Sequence, residues 1–74
     1  MAKIEKIIEK MKNQPKGVSF KEVKKVLEHY GYIVVRIRGS HHQFRNEQGL
    51  VTTVKREHPV HPEAVKDTLG RIGE

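Results

Sequence analysis

The sequence predicts an α+β fold of two layers, in the order α-α-β-β-β-α, with a three-stranded antiparallel sheet and helices on one face. Three observations carry this. Two apolar stripes of helical period fill the first thirty residues, the period changes to two at Tyr32, and a third helical stripe follows Pro62.

Residues 2–12 place Ile4, Ile7, Ile8 and Met11 at the i, i+3, i+4, i+7 spacing of an amphipathic helix, with Lys and Glu opposite. Asn13-Gln14-Pro15-Lys16-Gly17 breaks it. Ser19, with Glu22 three residues later, forms a capping box that opens a second helix. Its stripe is Phe20, Val23, Val26, Leu27 and Tyr30, and Gly31 stands where a helix C-terminal glycine belongs. Ile33, Val35 and Ile37 then alternate with Val34, Arg36 and Arg38, the pattern of a half-buried strand. Gly39-Ser40 is a tight bend, and His41 to Arg45 pairs back as a second strand. Asn46 to Gly49 makes a turn into the β-branched run Leu50 to Val54. Lys55 to His61 reads as irregular. Pro62 suits the first turn of a last helix carrying Ala64, Val65, Thr68, Leu69 and Ile72, which Gly73 ends. The expectation is one domain over 1–74, with a core over 18–73 and an added N-terminal helix over 1–14.

Composition sets the partner class. Only 35% of the 74 residues are hydrophobic, with two Phe, two Tyr and no Trp, so the core is thin. The absence of cysteine excludes disulfides and thiolate metal sites. No apolar run reaches the length of a membrane span, so no membrane association and a cytoplasmic location are expected. Fifteen Lys and Arg against nine Asp and Glu give a net charge of +6, which attracts polyanions and above all nucleic acid.

The chemistry concentrates between Arg36 and Arg45, Arg-Ile-Arg-Gly-Ser-His-His-Gln-Phe-Arg. Arginine suits bidentate phosphate contact, histidine exchanges protons near neutral pH, and glycine lets a ligand approach the backbone. Together they point to a site that handles a phosphodiester. In an extended strand His42 shares a face with Phe44, which belongs against the helices. His41 then lies on the open face with Gln43 and Arg45, and is the reactive candidate. Arg36, Arg38 and Arg45 are candidates for charge stabilisation and nucleic-acid binding, with Gly39 and Ser40 beside the phosphate. The competing reading of His41 is a surface histidine hydrogen-bonded in a turn. His42 reads as structural or partner-contacting, and His29 as a group favoured by a helix C-terminus. His58-Pro59-Val60-His61 has short metal-ligand spacing, but its prolines spoil the helical geometry and no Cys or carboxylate cluster completes a ligand set. No metal and no cofactor is expected.

Ser19 to Gly31 as a short helix, Tyr32, a β-run ending in Arg38-Gly39-Ser40-His41-His42, a turn with glycine, a Thr-Val run and Val65-Lys66-Asp67-Thr68-Leu69 resemble the HicA toxins. The resemblance covers residues 18–72, and Gly39-Ser40-His41-His42 is its most specific part. It implies a fold like the double-stranded RNA-binding domain and a translation-blocking ribonuclease that cleaves mRNA without a metal. It also implies a HicB-like antitoxin that covers the site, the chain being a monomer alone or a hetero-oligomer with that partner. The family's essential histidine falls on His41. The family usually runs Val-Pro-x-His after the third strand, whereas this chain has Val54-Lys55-Arg56-Glu57-His58. That departure leaves open a non-catalytic RNA-binding module on the same basic face, or a protein-interaction module.

Overall fold

The computed structural model describes residues 4–73. Within them helices α1 (Ile4–Asn13), α2 (Phe20–His29) and α3 (Pro62–Arg71) and strands β1 (Ile33–Arg38), β2 (His41–Arg45) and β3 (Val51–Lys55) follow the predicted order. A 3-10 turn at Pro15–Gly17 joins α1 to α2. The first two residues of the predicted N-terminal helix, Ala2 and Lys3, lie outside the described residues. No described helix is long and apolar enough to cross a membrane.

The α2 N-terminus forms as the capping box requires. The Glu22 N–H donates to Ser19 Oγ at 3.2 Å, and the Ser19 N–H donates to Glu22 Oε1 at 3.0 Å. Lys10 of α1 adds Nζ contacts of 2.9 and 3.1 Å to the same carboxylate, tying α1 to α2. Burial works to raise the Glu22 pKa. The hydrogen bonds from the Ser19 backbone, Lys10 and the Ser19 hydroxyl, with the Lys10 charge, outweigh it and hold the group below its ordinary value.

The core joins all three helices to one face of the sheet. Ile7, Ile8 and Met11 of α1 are buried with Val23, Val26 and Leu27 of α2, Val65 of α3, and Phe44 and Val54 of the sheet. α1 packs on both α2 and α3. The α2 stripe ends one residue early, because Tyr30 is the helix C-cap and 38% exposed. Tyr32 is the buried aromatic instead, with a hydroxyl that has no hydrogen-bond partner among the described residues. The backbone reverses between them at Gly31, φ +88, a conformation that suits glycine. Two buried threonines satisfy their hydroxyls locally. Thr52 Oγ1 donates to Asp67 Oδ2 at 3.3 Å, and Thr68 Oγ1 to the Ala64 carbonyl at 2.9 Å.

The sheet is antiparallel in the order β1-β2-β3. The strict alternation expected of β1 fails, because a bulge separates Val34, opposite Phe44, from Arg36, opposite Gln43. Val35 is the extra residue and is 51% exposed. The bulge lets Val34 face the helices while both Arg36 and Arg38 face solvent, which a regular strand cannot do together with Ile37 facing the helical side. Ile33 and Ile37 consequently lie on opposite faces, and neither is buried.

Candidate active site on the open sheet face

β2 is the central strand and presents its residues alternately. His42 and Phe44 are buried, whereas His41 and Arg45 are exposed and Gln43 is half-buried. Residues directly opposite across antiparallel strands share a face. The pairings Arg38 with His41 and His41 with Lys55 therefore make one cross-strand row, with His41 in the middle. The next row is Arg36, Gln43 and Thr53, and the one beyond is Ile33, Arg45 and Val51. Arg38, Arg36 and Lys55 thus surround His41 on an open, solvent-facing surface.

The bend that delivers His41 is a two-residue loop. Gly39 has φ +56, the sign such a hairpin loop requires at its first position. The Ser40 carbonyl accepts from the Arg56 N–H at 2.6 Å, and His42 Nδ1 lies 3.3 Å from the same oxygen. A carbonyl only accepts, so this contact is a hydrogen bond in the tautomer that carries the His42 proton on Nδ1. The His42 ring is buried, 4.8 Å from the Phe20 ring centre. His42 thus sits behind the loop while its neighbour faces solvent.

Two residues stand differently from their sequence expectation. Arg45 lies four residues along β2 from His41, about 13 Å at the usual rise, and its guanidinium approaches the Asn46–Gly49 turn at Gly49. It belongs to the far end of the basic face. Lys55, expected in an irregular segment, is the last residue of β3 and faces His41. The signal for it was present, since Val51, Thr53 and Lys55 alternate with the buried Thr52 and Val54. Lys55 Nζ lies 3.7 Å from Glu57 Oε2 in a partly exposed pair, the kind that contributes little and yields to a stronger anion.

The remaining histidines stand apart from this row. His61 caps α3, its Nδ1 accepting from the Glu63 N–H at 3.1 Å. His58 precedes a cis proline. His29 packs edge-on against the Tyr30 ring at 5.3 Å, at the end of α2. Among the described residues no three His, Asp or Glu side chains gather where they can hold a metal ion.

No curated protein and no solved structure matches the chain. The family model of the HicA toxin of bacterial toxin–antitoxin systems matches residues 20–74, more than half of the sequence. The matched stretch contains the whole Arg38–His41–Lys55 row and begins at the start of α2, leaving α1 outside. By this match the chain belongs to the HicA toxin family of bacterial toxin–antitoxin systems.

Proposed function

We propose that this toxin is a metal-independent endoribonuclease that cleaves mRNA to block translation, with His41 as its catalytic residue. The observation that carries the reading is the exposed His41 set between Arg38 and Lys55 on the open face. Cleavage of this class needs a base for the 2′-hydroxyl and positive charge where the phosphorane develops. His41 takes the 2′ proton as the 2′-oxygen bonds to phosphorus. Arg38 and Lys55 hold the equatorial oxygens, charge placed where it grows in the transition state. The bond from phosphorus to the 5′-oxygen then breaks, and that oxygen takes a proton from water at the open site. The products are a 2′,3′-cyclic phosphate and a 5′-hydroxyl. The need for a 2′-hydroxyl selects RNA over DNA. Arg36 and Arg45 extend the positive face along the strand, and Gly39 and Ser40 let the phosphate come close to the backbone at the hairpin end.

Membership of the family implies an antitoxin partner. In this reading a HicB-like antitoxin covers the open sheet face and excludes RNA from His41.

The test uses single-stranded RNA and its 2′-deoxy analogue with EDTA present. The expected result is cleavage of the RNA alone, reduced about 10²–10⁴-fold, the usual worth of a positioned base, in His41→Ala, with RNA affinity and folding retained. RNA binding without cleavage by the unmodified chain supports the second reading, a non-catalytic RNA-binding module on the same face. The replacement of the family's usual Val-Pro-x-His by Val54-Lys55-Arg56-Glu57-His58 is the observation that favours this alternative.

A further inference from the structure

Behind the hairpin end, on the side of the sheet away from His41, lies a groove of about 330 Å³ between the start of α2 and strands β1 and β2. Phe20, Val34, Ile37 and His42 line it together with Lys21, Lys24 and Arg56. Ile37 is the anomaly. It pairs with the buried His42 and so faces the helical layer, yet 57% of it is exposed. An isoleucine turned inward and left uncovered gives an apolar platform, and every ionised side chain lining the groove is positive. An apolar lining with cations alone beside it is complementary to a flat uncharged ring attached to a phosphate.

We propose that this groove receives one unstacked nucleotide of the RNA, with its base against Phe20 and Ile37 and its phosphate at Lys21, Lys24 and Arg56. The proposal rests on the reading of the open face as an RNA site, and it makes the groove a specificity pocket for that substrate. The connectivity supports this. His41 and His42 are consecutive and point to opposite sides of β2, and the Ser40 carbonyl joins the two sides by accepting from the Arg56 N–H and meeting His42 Nδ1. An RNA strand with a phosphate at His41 therefore reaches the groove by turning over the Gly39–Ser40 end. A base stacked on an aromatic side chain accounts for affinity without a strict sequence requirement, and the groove volume lies at the small end of ligand sites, suited to a single nucleotide.

The test measures binding, so that it stands apart from catalysis. Full-length His41→Ala protein is titrated by fluorescence anisotropy with a labelled RNA tetranucleotide and with tetranucleotides lacking each base in turn. Loss of one particular base is expected to weaken binding about fivefold or more, the lower range for one stacked base. Ile37→Asp, at an exposed position, is expected to weaken the intact oligonucleotide similarly and to abolish sensitivity to that base. Lys24→Glu is expected to weaken binding and flatten its salt dependence by about one phosphate contact. Equal affinity across the abasic series, or unchanged affinity in both variants, overturns the proposal. So does loss of antitoxin binding in both variants with RNA affinity intact, which assigns the groove to a protein partner. Absence of cleavage by the unmodified chain, with the abasic signature present, removes the catalytic reading and leaves the groove standing. Cleavage with a flat abasic series does the reverse.

Discussion

Lys55 is the side chain on which the two readings of this toxin separate. It stands where the family usually has proline, and β3 carries it to the position directly opposite His41. A cation there offers a phosphorane oxygen a second partner across from Arg38, on the other side of the imidazole. Lys55→Ala should therefore lower kcat/KM for RNA cleavage by about tenfold, less than the 10²–10³ lost when a rigid oxyanion donor is removed, because lysine is flexible and exposed here. Lys55→Arg should retain most of the activity. Arg45→Ala makes the contrast, acting on KM and on the salt dependence of binding while kcat holds, since Arg45 sits about 13 Å along β2 from His41. Steady-state kinetics at two ionic strengths checks all three variants. If Lys55→Ala and Arg45→Ala behave alike, Lys55 belongs only to the long-range positive field.

At the scale of elements, one carboxylate makes the polar tie between α1 and α2. Glu22 closes the capping box and receives Lys10, and these contacts hold its pKa below the ordinary 4.5 despite burial. A carboxyl lowered in the folded state stabilises the fold fully above its unfolded value and loses that contribution as pH falls through the folded value. The melting temperature should accordingly drop as pH falls below the ordinary glutamate range. In Glu22→Gln that part of the pH dependence should flatten, with lower stability at neutral pH, as thermal melts across an acid series would register. The elements themselves were legible because each had a local cause: Ser19 with Glu22 for α2, Pro62 for α3, Gly39 and Gly49 for the two turns of the sheet. The face on which His41 lies was legible for the same reason, as alternation from Phe44 decides it. The bulge at Val35 was not, because an unbroken run of β-branched and arginine residues fits a regular strand equally well. The rows on the open face depend on cross-strand register, which no residue on a single strand encodes. That is why Lys55 and the distance of Arg45 emerged only with the strands paired.

For the whole molecule the question is what α1 does, since the family match begins at residue 20 and α1 precedes it. Its sequence suggests an addition to a core over 18–73. Its packing ties it to that core, because Met11 is fully buried and Ile7 and Ile8 nearly so, in the cluster that holds Val23, Leu27, Phe44 and Val65. A chain this short, with 35% hydrophobic residues, has little apolar surface to spare. Met11→Ala should cost about 2–5 kcal/mol, the usual range for emptying a packed core position. That is a large share of the roughly 5–15 kcal/mol typical of a folded domain. A chain starting at residue 15 loses all three side chains, together with the Lys10 partner of Glu22, and should melt well below the full-length protein or fail to fold. Urea denaturation of Met11→Ala beside the shortened chain decides the matter. A shortened chain of near-normal stability would make α1 an accessory laid on an independent domain. The expected large loss makes it part of the scaffold that holds β2, and with it His41, in place.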